Sequence, residues 1–177
     1  MVFKGGSGDI TNMGRINAIG GDVFLIGRTV TNTAGASITA RNGVVGIGAG
    51  EEVLLKANNG SGNERIFVRS GGSGVSGTGI LNDGTIEGAS VELKAHGNMF
   101  ALAINNKGSI RATGATSRGG SVYLRGVGSE VRNSGSITAT APSVGSGGRI
   151  LIAAAYAKVD GLLNAESGRI KLIASDR

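Results

Sequence analysis

The chain has 177 residues, of which 34 are glycine and none is cysteine, and aromatic residues make up only 3%. The absence of cysteine excludes a disulfide scaffold and cysteine metal sites, and the shortage of large side chains favours a thin core of Val, Ile, Leu and Ala. The net charge of +6 favours contact with anions in general. The basic residues are spread along the chain without a run, so the charge does not select a particular anion. No apolar segment reaches the length of a membrane span.

A nine-residue phrase, apolar-x-Asn-x-Gly-x-Ile-x-small, recurs from near the first residue onward. Its copies begin at Ile10 (ITNMGRINA), Val30, Ile80, Ile104 (INNKGSIRA), Val131 (VRNSGSITA) and, without the Asn, at Val159. The Ile that follows the glycine recurs about every 25 residues if one copy between Ile38 and Ile86 has decayed. Self-similarity at this period predicts a solenoid whose units bury their apolar faces against their neighbours.

A second phrase alternates with the first and carries two inward apolar positions separated by one residue. It reads DVFLIG, EVLLKA, RIFVRS, SVELKA, SVYLRG, RILIAA and RIKLIA in chain order. This alternation predicts half-buried strands, and the glycine pairs before several of them predict tight corners. We therefore expect an all-β chain that folds as a right-handed parallel β-helix (solenoid) of about seven coils of roughly 25 residues.

The recurring asparagines have a predicted structural role at the corners. A short amide tolerates left-handed backbone and can bond the equivalent amide of the next coil. The predicted asparagine ladder consists of Asn12, Asn32, Asn82, Asn106 and Asn133. A ligand-binding role for these residues is the alternative.

The whole chain, residues 1–177, is expected to be one β-helix segment of a longer repeat protein. Within it, residues 43–79 lack the nine-residue phrase and are rich in Gly and Ser. We expect an irregular coil or a protruding loop there. Loops on solenoids often carry binding sites.

The N-x-G-x-I-x-A phrase, alternating with G-G-x-V-x-L-x-G, resembles the repeats of filamentous haemagglutinin-like exoproteins, the β-helical passengers of two-partner secretion systems. The resemblance extends from GDITNMGRINAIGGDVFLIGRTVTNTAGASITA to GGRILIAAAY. It implies export through a bacterial outer-membrane transporter, a secreted or cell-surface location, and roles in adhesion, biofilm matrix or toxin carriage. The chain shows no complete secretion domain and no toxin domain.

The sequence offers no catalytic constellation, so we do not expect an enzyme. A polysaccharide-active β-helix would need clustered carboxylates, whereas the twelve acidic residues are scattered. His96 is the only histidine, and we interpret it as a turn residue. We expect neither a cofactor nor a metal, and the Gly-rich stretches lack the Lys-Ser/Thr of a phosphate-binding loop.

The outward positions of the second phrase form the candidate binding surface. An aromatic stripe is predicted to run beside a basic one, a combination suited to acidic sugars, and its members are Phe24, Phe67, Tyr123, Lys56, Arg69, Lys94 and Arg125. Stacked like charges repel one another unless they splay into solvent or meet an anion. The simpler interpretation is a solvated face, or one covered by an extra segment.

The expected function is therefore structural and adhesive: a rigid stalk of a secreted or surface exoprotein that binds an anionic glycan or a cell surface. No specific nucleic acid is expected as a partner. The alternative is a filament subunit that stacks end to end with copies of itself through open strand edges. A polysaccharide-active enzyme and an ice-binding solenoid fit the sequence less well.

Overall fold

The computed structural model of the chain describes residues 1–4, 7–57, 64–69, 77–96, 102–115, 118–143 and 145–175. Every regular element in these ranges is a strand, in the order β1 (Val2–Lys4), β2 (Ile10–Asn12), β3 (Arg15–Asn17), β4 (Val23–Gly27), β5 (Val30–Asn32), β6 (Ser37–Ala49), β7 (Glu52–Leu55), β8 (Ile66–Arg69), β9 (Thr78–Asn82), β10 (Thr85–His96), β11 (Leu102–Asn106), β12 (Ser109–Ala112), β13 (Ser121–Asn133), β14 (Ser136–Ala139), β15 (Arg149–Val159), β16 (Leu162–Ala165) and β17 (Arg169–Ala174). Among the described residues there is no helix that could cross a membrane.

The strands divide into a large sheet and a small one. The large sheet has 14 strands, and its pairs are parallel. The small sheet has three strands, β1, β7 and β8, and both of its pairs are antiparallel. We call the small one the outer sheet, because it packs on the outward side chains of the large one.

The large sheet contains three parallel ladders. The first runs β2–β5–β9–β11–β13–β15. The second runs β3–β6–β10–β12–β14–β16. The third runs β4–β6–β10–β13–β15–β17. The long strands β6, β10, β13 and β15 each belong to two ladders and thereby link all three.

The core is made by equivalent apolar residues stacked along these ladders. In the second ladder the Ile of the repeated phrase contributes a row of fully buried side chains: Ile38, Ile86, Ile110 and Ile137. The third ladder adds Val91, Leu93, Val122 and Leu124, none of which is exposed. Each such side chain contributes roughly 1.5–3 kcal/mol through burial, so a thin aliphatic core suffices.

The five asparagines of the repeated phrase lie in register along the first ladder. The Nδ2 of each donates to the Oδ1 of the next, from Asn12 to Asn32 (2.8 Å), Asn82 (2.8 Å), Asn106 (2.7 Å) and Asn133 (2.6 Å). All five are buried. These side chains form the asparagine ladder, and the structure gives them a hydrogen-bonding role inside the protein.

The glycine of the repeated phrase is required by close backbone approach. A Cβ on Gly135 would lie 2.6 Å from the backbone carbon of Lys107 in the neighbouring repeat. Real Cβ atoms do not approach that closely, so the corners after Asn82, Asn106 and Asn133 can stack only if Gly84, Gly108 and Gly135 have no side chain, whereas a Cβ on Gly14 would meet nothing.

The predicted right-handed β-helix of about seven regular coils is wrong. The structure is all-β, but its strands are mixed between ladders in one parallel-rich sheet with an additional antiparallel sheet, and they are not divided among the faces of a solenoid. Where the two repeated phrases meet, two junctions are irregularities within long strands, with the register shifting between Gly88 and Ser90 and between Gly126 and Glu130. Such irregularities bend a strand without ending it.

No decayed copy of the phrase lies between Ile38 and Ile86, because these two residues pair directly in adjacent strands. In the region predicted to be an irregular coil or loop, residues 43–79, β6 continues to Ala49 and the next two strands, β7 and β8, belong to the outer sheet. Residues 58–63 and 70–76 of this region lie outside the described residues. The last copy begins at Ala157, so that Val159 occupies the asparagine position.

Replacing Asn82 by alanine should lower the free energy of unfolding by about 2–4 kcal/mol, because a buried donor on Asn32 and an acceptor on Asn106 lose their partner. The matched control is Asn164→Ala on an exposed position of β16, which should change stability by less than about 0.5 kcal/mol. Urea unfolding measures both, and equal effects would contradict the ladder's stabilising role.

Candidate anion-binding face

The outward side chains of the third ladder form two adjacent rows, which we call the outer face. In register, the rows are Phe24, Gly46, Glu92, Tyr123, Leu151, Lys171 and Ile26, Gly48, Lys94, Arg125, Ala153, Ile173. The rows therefore contain Gly46 and Gly48, and the predicted residues Phe67, Lys56 and Arg69 are not part of them. Those three residues lie on or beside β7 and β8 in the outer sheet.

The outer sheet rests on the space left by these two glycines. A Cβ on Gly46 would lie 2.5 Å from Cδ1 of Ile66, and one on Gly48 would lie 3.0 Å from Cγ1 of Val53. Ile66 and Val53 are correspondingly buried, with 0% and 1% of their surface exposed. Both were predicted to face inward from the large sheet; instead they seal the outer sheet against β6.

Two buried charged residues of β10 form hydrogen bonds with the backbone groups at the unpaired edge of β8. The carboxylate of Glu92 accepts hydrogen bonds from the backbone N–H of Arg65 (2.8 and 2.9 Å) and of Ile66 (3.0 Å). Lys94 Nζ donates to the carbonyl of Ile66. An edge strand normally needs another strand or water for these groups, and here side chains of the large sheet take that place.

Glu64 connects this contact to the neighbouring strand. Its carboxylate forms a bidentate pair with the Arg125 guanidinium (2.6 and 2.7 Å) and accepts from Lys94 Nζ at 2.5 Å. Burial raises the pKa of Glu64, but the hydrogen bonds from Arg125 and Lys94 outweigh it and hold that pKa below its ordinary value. The same pairing raises the pKa of Arg125. Charge-assisted bidentate contacts of this kind are among the stronger polar interactions in proteins.

The predicted aromatic residues are also occupied by contacts within the protein. Arg65 lies over the ring of Phe24 at 4.8 Å, and Phe67 has both Lys56 (4.5 Å) and Lys94 (4.7 Å) over its ring. Tyr123 is only 5% exposed. The predicted stripe is thus divided between two sheets, and most of its charge faces other residues of the chain.

The basic residues Lys94, Arg125 and Arg69 therefore have acidic partners. Lys94 is 3% exposed, Arg125 is held by Glu64, and Arg69 lies 3.7 Å from Glu52 at the surface. Of these three ion pairs, only Arg69–Glu52 is so exposed that a ligand could displace it at a small cost in free energy.

A different basic cluster remains accessible on β15 and β17. Arg149, Arg169 and Lys171 are exposed and form no ion pair with the described residues, and Arg149 and Arg169 are direct register neighbours. Together with Tyr123, Leu151 and Glu64 they line a groove of about 360 Å³, which we call the terminal groove. The sequence does carry a signal for this cluster: an Arg stands immediately before the first inward residue of both RILIAA and RIKLIA. The sequence-based prediction did not use it.

A second groove adjoins the first at Arg149. This corner groove has a volume of about 400 Å³ and opens at the register shift of β10 and at the starts of β13 and β15. Its polar lining residues include Asp22, Asn42, Arg65, Glu92, Arg118, Ser121 and Arg149. Asp22 is fixed there, because its Oδ1 accepts from the backbone N–H of Val44 at 2.8 Å and its Oδ2 pairs with Arg65.

Within the described ranges, no three His, Cys, Asp or Glu residues come close enough together to hold a metal ion. The single histidine, His96, ends β10, and burial lowers its pKa. Comparison of the chain with protein-family models, with curated proteins and with solved structures gave no match.

Placing a side chain at Gly46 should displace the outer sheet while leaving the ladders intact. We expect Gly46→Val to speed tryptic cleavage after Lys56, Arg65 and Arg69, because the new methyl groups overlap Ile66 and Phe24. Gly20→Val, at a site with open space around it, is the control and should be cleaved like the wild type. Mass spectrometry measures the rate of cleavage at each site. A Gly46→Val protein that is cleaved at the wild-type rate would show that the outer sheet does not need this glycine.

The Glu64 network should make stability depend on acidity. A folded-state pKa below the ordinary carboxyl value contributes stability that is present above about pH 4.3 and is lost as the pH falls through the folded-state value. Glu64→Gln should therefore lower the urea midpoint at pH 6, and its difference from the wild type should shrink progressively as the pH falls below about 4.3. A constant difference between the two proteins across this range would contradict the role given to the charge.

Proposed function

We propose that this chain is a structural segment of an exported exoprotein, secreted or held at the cell surface, and that it binds acidic glycans through the terminal groove. The observation that carries the binding proposal is the accessible cluster of Arg149, Arg169 and Lys171 on neighbouring strands. Parallel strands lie about 4.8 Å apart, so like charges in register repel one another, and an anion bound between them relieves that repulsion.

The composition of the terminal groove supports a sugar as the ligand. Leu151 provides apolar surface beside the three cations, with the nearly buried Tyr123 next to it in register, and Glu64 also lines the groove as a hydrogen-bond acceptor. Sugar rings present apolar faces as well as hydroxyl groups, and carboxylate or sulfate substituents pair with guanidinium groups through two hydrogen bonds. Apolar surface, an acceptor and cations together match that chemistry.

The structural role is supported by the ladders. Buried asparagine pairs and unbroken rows of aliphatic side chains resist sliding of one repeat on the next, since a slip would leave amides unpaired. The resemblance of the repeats to filamentous haemagglutinin-like exoproteins suggests the export route, through a bacterial outer-membrane transporter. That route is part of the proposal.

The glycan proposal predicts that Arg149→Gln, Arg169→Gln and Lys171→Gln together lower the salt concentration at which the protein elutes from immobilised heparin or polygalacturonate. The control exchanges Lys4, Lys107 and Lys158 for glutamine, because these exposed lysines each face an acidic partner and their removal changes net charge equally. Equal losses in the two triple variants would show only general charge attraction and would overturn the assignment.

A second candidate function is assembly of copies end to end, and exposed apolar residues on the last strands favour it. Ile170, Leu172 and Leu162 are 43%, 52% and 57% exposed, whereas Ile150 and Ile152, one strand earlier, are fully buried. Open parallel edges on β4 and β17 face opposite ways along the ladder, which is the geometry of a head-to-tail contact that repeats without closing.

Sedimentation velocity tests this candidate. We expect species larger than a monomer that grow with protein concentration, and we expect Leu162→Lys with Leu172→Lys to abolish them by placing charge at the contact. Phe3→Lys, which replaces a partly exposed apolar residue of the outer sheet, should assemble normally. A wild-type protein that stays monomeric at high micromolar concentration would exclude the filament.

A further inference from the structure

The corner groove and the terminal groove meet at Arg149, whose side chain lines both. The strands beneath them, β6, β10, β13, β15 and β17, are consecutive neighbours in the third ladder. At the usual spacing of strands this path covers roughly 19 Å. The two grooves adjoin at Arg149, and together, as what we call the track, they cross enough strands for a ligand of several sugar units.

The track has mixed charge. Its cationic residues are Arg169 and Lys171 in the terminal groove, Arg149 where the grooves adjoin, and Arg65 and Arg118 in the corner groove. Its acidic residues are Asp22 and Glu92 in the corner groove and Glu64 in the terminal groove. Each Asp22 oxygen accepts one hydrogen bond from the protein and so keeps a lone pair for a ligand hydroxyl. A ligand that carries two or more strong anions on each unit would place more negative charge beside these carboxylates than a ligand with a single carboxylate on each unit.

Two neutral polar side chains add hydrogen-bonding capacity between the charged ones. Asn42 and Ser121 line the corner groove, and neither side chain forms a hydrogen bond in the structure with the described residues. An amide and a hydroxyl can each donate and accept. They suit sugar hydroxyl groups better than phosphate or sulfate oxygens, which only accept.

We propose that the two grooves form one site for a polyuronate, a linear glycan whose hydroxylated sugars each carry a carboxylate, with Arg149 at the junction. This inference rests on the proposed glycan-binding function and specifies its ligand. The carboxylates pair with Arg149, Arg169 and Lys171, and the hydroxyl groups of the units in the corner groove contact Asp22, Asn42 and Ser121.

Nucleic acid fits the same track poorly. Sequence-tolerant binding of single strands uses aromatic side chains on which bases stack. Of the described aromatic residues on the outer face, Tyr123 is only 5% exposed and Phe24 has the Arg65 guanidinium over its ring.

Calorimetry with a galacturonate dimer, a galacturonate octamer, a heparin octasaccharide and an oligothymidylate at physiological ionic strength tests the proposal. We expect the octamer to bind at least about tenfold more tightly than the dimer, since only the octamer engages both grooves. Heparin and oligothymidylate should bind more weakly than the octamer. Equal binding of dimer and octamer, or tighter binding of either of the other anions, would overturn the polyuronate assignment.

The decisive variant is Asn42→Ala with Ser121→Ala, which removes neutral corner contacts without changing charge. It should weaken octamer binding about three- to tenfold and leave dimer binding unchanged, because the dimer occupies the cationic terminal groove. The control is Ser7→Ala with Asn17→Ala, two exposed residues elsewhere, and urea midpoints check that all variants fold.

The outcomes separate this inference from the function it rests on. If the corner double variant binds the octamer like the wild type while the terminal triple variant loses glycan binding, the polyuronate track is wrong and glycan binding stands. If the triple variant also binds normally, both proposals fail.

Discussion

In-register pairing of buried asparagine side chains is the constraint on which the rest of the structure depends. Each amide in the interior of the ladder donates to one neighbour and accepts from another, so shifting one repeat relative to the next would leave buried polar groups unpaired. The register fixed in this way also aligns the isoleucine row of the core and the two rows of the outer face. The positions of Glu92, Lys94 and Arg125, which lie in repeats that carry these asparagines, therefore follow from a hydrogen-bonded column on another ladder.

Two glycines then divide the outer face into a covered part and an open part. Gly46 and Gly48 leave room for β7 and β8, and the buried Glu92 and Lys94 supply the polar partners that the edge of β8 needs. The charged side chains close to the outer sheet, Glu92 and Lys94, form hydrogen bonds and ion pairs that hold this sheet in place. Among the described residues, the outer sheet does not pair with the charged residues farther along the same ladder, on β15 and β17. Arg149, Arg169 and Lys171 are therefore the accessible cations.

The sequence was sufficient to predict the strands, the spacing of the asparagines and the rows of buried isoleucine, because the repeated phrase carries all three. It was not sufficient to predict the architecture. EVLLKA and RIFVRS alternate just like the ladder strands, and alternation reports that one face is buried without saying against what or in which direction the strand pairs. The predicted binding residues failed for the same reason: Lys94 and Arg125 meet Glu64, which lies about thirty residues from Lys94 and can be recognised as their partner only in the folded chain.

The lifetime of the asparagine side-chain amide protons in heavy water, measured by NMR, tests the central constraint most directly. If the ladder holds the repeats in register, the Nδ2 protons of Asn32, Asn82 and Asn106 should persist as long as the backbone amides of β9 and β11, because all of them exchange only when the stack opens. Exposed Asn42 and Asn164 provide the comparison within the same spectrum. Loss of the ladder protons as fast as those of Asn42 and Asn164 would show that the amides are not locked together and that the register is set in some other way.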